Sequence, residues 1–269
     1  MSNINTANTV NKLQAAAKRI PANSPDPQNN PGKVSRNLFS DFMRSQQVEA
    51  SISNVLAETG RKEQFISSVI SLWSENKDLQ EADRGSVLQA CMKAAVLDLP
   101  IDKNLGFAWV IAYKGKAQCQ LGYKAFIQFA LRTGKYHKIN AIPIYEGQLR
   151  GFNYLTEEYD LDFSNKESNN VIGYMGYYKL LDGFEKTVYW SKADIEKHRD
   201  KFSKQAGGFG WKDNFDAMAL KTVIKSMLNK WGLLTTQLQN DLKVAEEAER
   251  FDITDQATEI PQQQLTQAQ

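Results

Sequence analysis

The sequence predicts an α+β fold: helices first, then a mainly antiparallel twisted sheet with an inserted helix, then a long closing helix. Three observations carry this expectation. Apolar residues recur three and four apart through the first hundred positions, bulky residues then alternate with small or polar ones from Phe107 onward, and helical spacing returns in "DNFDAMALKTVIKSMLNKW".

The first half reads as three helical stretches, "VSRNLFSDFMRSQQVEASISNVLAE", "KEQFISSVISLWSEN" and "GSVLQACMKAAVLDL", with Phe65, Val69, Leu72 and Trp73 marking the apolar stripe of the second. In "FAWVIAY" the residues Phe107, Trp109, Ile111 and Tyr113 alternate with Ala108, Val110 and Ala112. "AQCQL" alternates again after "KGK", so a hairpin turns near Gly115. "YKAFIQFALRTG" is a helix that stops at Gly134, with Phe126, Ile127, Ala130 and Leu131 expected on its core face. "HKINAIPIYE" is a strand that Pro143 assigns to an edge or a bulge. "VIGYMGYYKLLDGFEKTVYW" forms two strands around Asp182 and Gly183, and Ser191, with Asp194 three residues on, caps the next helix. In the closing helix Phe215, Met218, Thr222 and Met227 are expected toward the core.

With 269 residues, 42% of them hydrophobic, the chain is long enough for one sizeable domain with tails. Residues 1–32, broken by proline in "PANSPDPQNNPG" and carrying Lys12, Lys18 and Arg19, are expected to be a disordered basic arm. Residues 33–240 form the expected functional domain. Residues 241–269, with Glu246, Glu247, Glu249, Asp252, Asp255 and Glu259 against Arg250, are expected to be a flexible acidic tail. No apolar run spans a bilayer and the N-terminus lacks a signal-peptide core, so a soluble cytoplasmic protein without a membrane partner is expected. Cys91 and Cys119 are isolated, and His137 and His198 do not complete a zinc site with them; two buried thiols are expected. A phosphate-binding GxxxxGK[ST] loop is absent, which disfavours nucleotide-driven chemistry.

Net charge is only +2, but its distribution is uneven. From Lys103 to Tyr145 there are seven Lys or Arg residues and no Asp or Glu: Lys103, Lys114, Lys116, Lys124, Arg132, Lys135 and Lys138, sharing the segment with Trp109, Tyr113, Tyr123 and Tyr136. Lys124, Gln128 and Arg132 are each four apart and form one helical stripe. Cations beside aromatic and amide groups suit a phosphate-backbone groove that ignores base sequence. For any single lysine a solvated helix face is the plain alternative, although such faces usually mix signs. A second cluster, Lys192, Lys197, His198, Arg199, Lys201, Lys204, Lys212, Lys221 and Lys225, is diluted by Asp194, Glu196, Asp200, Asp213 and Asp216. An ordinary amphipathic surface explains it equally well. "TEEYDLDF" gathers Glu157, Glu158, Asp160 and Asp162, which fits either a solvated acidic loop or the carboxylates of a metal-dependent nuclease.

The order and spacing of "AAVLDLPIDKNLGFAWVIAYKGKAQCQLGYKAFIQFALRTGKYHKINAIPIYEGQL", "GYYKLLDGFEKTVYWSKADIEKHRD" and "GWKDNFDAMALKTVIKSML" resemble the RecT family of phage and prophage single-strand annealing proteins, which includes the phage Red beta type. The resemblance spans roughly Ala90 to Leu234. It implies a β-β-β-α core and ATP-independent annealing of complementary DNA strands, without nucleotide hydrolysis, catalytic residues, metal or cofactor. It further implies homo-oligomers on single-stranded DNA and the annealed duplex, as a helical filament or ring. The implied partners are a phage exonuclease and a host single-strand binding protein. On this view Lys103, Lys114, Lys116, Lys124, Arg132, Lys135, Lys138, Arg199, Lys221 and Lys225 meet phosphates, and Gln118 and Gln128 bond phosphate or sugar oxygens. Trp109, Tyr123, Tyr136 and Trp211 are candidates for stacking on bases, a place in the core being the alternative for each. The other function classes left open are the nuclease and a non-DNA oligomeric scaffold.

Overall fold

Helices and antiparallel strands combine in the α+β order that the periodicity predicts. The structure is a computed structural model and describes residues 34–56, 61–203, 206–233, 235 and 238–246. The expected basic arm and the tail beyond residue 246 lie outside the described residues. The stretch expected as one domain consists of two compact units, divided after Gln120 and after Leu242.

In the first unit, helices α1 (Val34–Met43), α2 (Gln46–Leu56), α3 (Lys62–Glu75), α4 (Lys77–Glu81) and α5 (Arg84–Val96) precede a hairpin of β1 (Ala108–Tyr113) and β2 (Lys116–Leu121). The stretch expected as one long helix is broken between α1 and α2. There Ser45 turns back on Phe42, its N–H and hydroxyl both donating to the Phe42 carbonyl. Phe39 stacks on Trp73 with ring centroids 4.5 Å apart, over buried Ile66 and Val69. Phe65 and Leu72, expected on the same core stripe, are half-buried and line an open groove of about 790 Å³ with Leu99 and Ile101. Contact with α1 and α5 draws the Ile66, Val69 and Trp73 side of α3 inward and turns Phe65 and Leu72 to the groove.

The hairpin turns where expected. Lys114 and Gly115 both take positive φ (48° and 77°), as a two-residue primed turn requires. Asp83 caps α5 by accepting from the Ser86 N–H at 2.8 Å, and its own N–H donates to the Gly115 carbonyl at 2.8 Å. The Ala117 N–H donates to the Ser86 hydroxyl oxygen at 2.8 Å, so the same cap that starts α5 also holds the hairpin tip. Cys91 and Cys119 are buried, and burial pushes the Cys91 thiol well above its usual pKa.

The second unit contains α6 (Tyr123–Arg132), β3 (Tyr136–Tyr145), β4 (Leu149–Asn153), β5 (Glu158–Leu161), β6 (Val171–Leu180), β7 (Glu185–Ser191), α7 (Lys192–Phe202), α8 (Phe209–Asp213) and α9 (Phe215–Trp231). Strands β3, β6 and β7 form an antiparallel sheet in that order. Pro143 lies on its edge strand opposite Tyr174, where its missing N–H costs no interior ladder bond. Between β6 and β7 Gly183 takes φ 97°, and the Asp182 carboxylate accepts from the Phe184 N–H at 3.0 Å. Ser191 caps α7 as expected, its hydroxyl oxygen accepting from the Asp194 N–H at 3.1 Å.

Two expectations change. The acidic stretch is not merely a loop, because residues 158–161 pair with β4 as the separate hairpin β4–β5. Tyr159 supplies its apolar anchor, 4.5 Å from the Phe152 ring and 6.2 Å from the Tyr189 ring. In α9 the buried residues are Ala219, Leu220, Val223, Ile224, Met227 and Leu228; Phe215, Met218 and Thr222 are only half-buried. The helix packs against both the sheet and α6, which widens and rotates its buried arc.

Strand β6 holds α9 by three residues on one face. The Tyr174 hydroxyl donates to the Asp216 carboxylate at 2.5 Å, and the Tyr178 hydroxyl donates to the Trp231 carbonyl. Between them Gly176 permits close approach, since a Cβ there would sit 3.0 Å from Val223 Cγ1 and 3.1 Å from Met227 Sδ.

The two phenols make the stability of this unit depend on alkaline pH. Burial raises the pKa of both, Tyr178 to about 12, with the Asp216 hydrogen bond adding to the shift at Tyr174. The unfolded chain ionises its tyrosines first, so this stabilisation is complete below about pH 10 and is lost as pH rises toward about 12. Urea midpoints measured at increasing alkaline pH should fall across that window, and Tyr178→Phe should make the fall shallower.

Candidate nucleic-acid interface

Helix α6 begins after Gly122 and ends at Thr133, whose hydroxyl donates to the Ala130 carbonyl at 2.7 Å. Gly134, at φ 66°, then turns the chain into β3. The helix buries Ala125, Phe126, Phe129 and Ala130, while Ile127 is half-buried and Leu131, expected in the core, is exposed. The buried stripe is centred one residue off the expected one because Phe126 and Phe129, in edge contact 5.8 Å apart, both turn inward. The opposite face carries Lys124 and Arg132, both exposed, with half-buried Gln128 between them. Arg132 lies in the last turn, where a cation favours the helix dipole, and its guanidinium is 5.9 Å from the Phe129 ring centroid. Exposed Lys135 and Lys138 follow at once.

The acid-free run is therefore divided. Its first three cations belong to the first unit, where Lys103, Lys114 and Lys116 are exposed and the last two flank the hairpin tip. Trp109 is half-buried there and donates its indole N–H to the Lys103 carbonyl at 3.2 Å. Gln118 is buried, so its amide belongs to the interior of that unit. The other four cations lie on α6 and the start of β3 in the second unit, with half-buried Tyr123 in the first turn of α6.

Tyr136 and Trp211 are buried. Tyr136 meets Tyr178 edge to face at 5.4 Å, and its hydroxyl oxygen accepts from the Leu233 N–H at 2.9 Å. Trp211 packs on Phe215 at 5.5 Å. In the second basic cluster Arg199 is half-buried, bonded to Asp200 at 2.8 Å and 5.9 Å from the Phe215 ring centroid. Lys221 and Lys225 are half-buried on α9. Burial and the nearby Lys225 hold the His198 pKa below its usual value.

Register exposes candidates that the charge run did not include. Lys138 pairs with Lys179 and Asn140 with Tyr177, so these side chains share the sheet face opposite the one that carries Tyr174 and Tyr178. Lys179 is joined to Glu185 at 3.2 Å. Period-2 counting along β6 could have placed Lys179 on that face, but its pairing with Lys138 needed the register. Lys186 is tied to the Glu157 carboxylate and lies 4.0 Å from the Trp231 ring centroid.

The acidic segment does not gather ligands. Asp162 is held by Arg150 and by Ser164, whose hydrogen bond lowers its pKa, and Glu158 accepts from the Thr156 hydroxyl at 2.8 Å. Among the described residues, no three His, Cys, Asp or Glu side chains are placed to hold a metal ion. Among the same residues, no helix is long and apolar enough to cross a membrane.

Two comparisons bear on this arrangement. A RecT family model matches residues 63–261. The chain is also 55% identical over 198 residues to the uncharacterized protein YqaK of Bacillus subtilis (strain 168), a match that covers 73% of this chain and 69% of that protein.

Tyr136→Phe keeps the ring and leaves the Leu233 N–H without its acceptor. It should lower stability by about 1–2 kcal/mol, read as a shift of the urea midpoint, with affinity for any ligand of the basic face unchanged.

Proposed function

The chain belongs to the RecT family, and on that premise we propose that it anneals complementary single strands of DNA without nucleotide hydrolysis, holding them by their phosphates on the basic faces of an oligomer. The family is one of phage-type single-strand annealing proteins, generally not classed as enzymes. The observation that best supports the proposal is the outward stripe of Lys124, Gln128 and Arg132, opposite a buried apolar face and continued by Lys135 and Lys138 with no acid in the run.

Two strands repel through their phosphates, and lysine or arginine supplies the counter-charge while displacing condensed cations. Pairing and stacking then supply the favourable free energy, about 1.4 kcal/mol per base-pair step. Such a protein needs to hold backbones and leave base edges open. Lys124, Arg132, Lys135 and Lys138 are exposed and suited to the backbone, with Lys103, Lys114 and Lys116 on the other unit. Lys221, Lys225 and Arg199 are half-buried and would reach phosphates along the rim of α7 and α9. Half-exposed Trp109 and Tyr123 are the stacking candidates that retain open surface. Assembly as a filament or ring would repeat these faces along one strand. A phage exonuclease would supply the single strand, and a host single-strand binding protein would be the other partner.

The test is annealing of two complementary oligonucleotides without nucleotide, over a range of salt. Annealing should occur, and affinity for single strands should fall steeply with salt. Lys124→Ala with Arg132→Ala should weaken binding of all sequences alike and reduce the log–log salt slope by about 1.4, at ~0.7 per single-strand phosphate contact. Unaltered binding by a folded double mutant would remove α6 from the interface.

A further inference from the structure

The open groove of about 790 Å³ in the first unit has an apolar floor and a charged rim. Phe65 and Leu72 of α3 supply one side of the floor, Leu99 and Ile101 beyond α5 the other. Leu99 is buried and the other three are half-buried. Glu75, Asp78, Asp98 and Asp102 stand on the rim with Arg61, Lys77 and Lys103. Arg61 is joined to Asp98 at 2.6 Å. Glu75, Asp78 and Asp102 are exposed and make no ion pair among the described residues. An apolar floor with these acids above it suits a peptide that presents large apolar residues on one face and cations along its flank. The acidic segment after Glu246 has the wrong sign for it.

A segment at the other end of the same chain has that pattern. "TVNKLQAAAKRI", from Thr9 to Ile20, contains no acid and places Val10, Leu13, Ala17 and Ile20 on one helical stripe. Leu13 and Ile20 are seven apart, the spacing of Phe65 and Leu72 in the groove. Lys12 and Arg19 lie along one flank of the stripe, and Asn11 lies opposite it. Pro21 ends the stretch. A helix of about 12 residues is marginal alone in water, so this stripe needs a surface to cover. Residues 21–33, with four prolines, separate it from Val34 at the start of α1 and suit an extended spacer. At ~3.5 Å per extended residue that spacer reaches up to about 45 Å. Helix α1 packs on the adjacent side of α3, where Phe39 stacks on Trp73, and a helix is only about 10–12 Å across. The arm therefore reaches the groove, and its tether supplies an effective concentration of about a millimolar.

We propose that residues 9–20 dock in this groove of their own chain as an amphipathic helix, with Leu13 and Ile20 against Phe65, Leu72 and Ile101 and with Lys12 and Arg19 toward the acids of the rim. Arm and groove both belong to the first unit. The docked arm covers the apolar floor, and the docking stands whether or not the chain anneals DNA.

The full-length chain carrying Leu13→benzoylphenylalanine tests the docking by photo-crosslinking and peptide mapping. Crosslinks should fall on residues 65–72 and 99–101 of the same chain. The same probe at Asn11, on the opposite face of the arm, should not reach the floor. Val10→Asp with Ile20→Asp should abolish the Leu13 crosslinks while leaving the groove itself unaltered, and Leu72→Glu should abolish them from the groove side. Crosslinks confined to other surfaces, or equal capture of the floor from Asn11 and Leu13, would overturn the proposal. So would crosslinks joining light and heavy isotope-labelled copies, which would make the occupant the arm of a second copy. Leu13 crosslinks that persist in the Val10→Asp, Ile20→Asp chain would show that the apolar stripe does not hold the arm, and would overturn it equally.

Discussion

The second unit depends on the close approach of strand β6 to helix α9. Gly176 leaves no side chain between them, so Val223 and Met227 come down onto the strand. Tyr174 and Tyr178, on the same strand face, reach Asp216 near the start of the helix and the Trp231 carbonyl at its end. A helix held at both ends has its rotation decided, and α9 in turn packs against α6 and β3. The orientation of α6, and so the direction in which Lys124 and Arg132 point, follows from that packing and not from local propensity. A glycine and two phenols thereby set the position of charges that none of them touches.

The charge distribution has its own logic. Cations are costly to bury and cheap to expose, so a run without acids survives where its backbone lies on helix ends, turns and a sheet edge. Gly115 and Gly134 supply the two positive-φ turns that bring Lys114, Lys116 and Lys135 to the surface. Acids are present elsewhere but are consumed locally: Glu157 on Lys186, Asp162 on Arg150, Glu185 on Lys179. The Glu185–Lys179 pair is exposed on both sides and adds little stability. Helix α6 itself carries no acid, so its outer face keeps its sign.

How much was legible varies with the physical origin of each feature. The hairpin at Gly115, the end of α6 at Gly134, the edge position of Pro143 and the Ser191 cap were readable because each depends on one residue's backbone chemistry. Hairpin β4–β5 was hidden because the carboxylates of Glu158 and Asp160 masked the alternating Tyr159 and Leu161. Leu131 was misplaced because a ten-residue helix with apolar residues at 125, 126, 127, 129, 130 and 131 admits several core faces by spacing alone. Gln118 carries an amide that reads as surface, while for Tyr136 and Trp211 spacing left stacking and core both open until burial, and for Tyr136 the Leu233 N–H, decided for the core.

The sequence by itself determined the α+β order, the turn positions, the run of cations free of acids and the family resemblance, because periodicity, turn chemistry and sign of charge are local properties. Only the tertiary structure decided that this run is shared between two compact units, that the core face of α6 is Phe126 and Phe129, and that Lys138 sits across from Lys179. Those outcomes depend on which surface of each element another element covers. That is a property of pairs far apart in the chain, and no window along the chain contains both members.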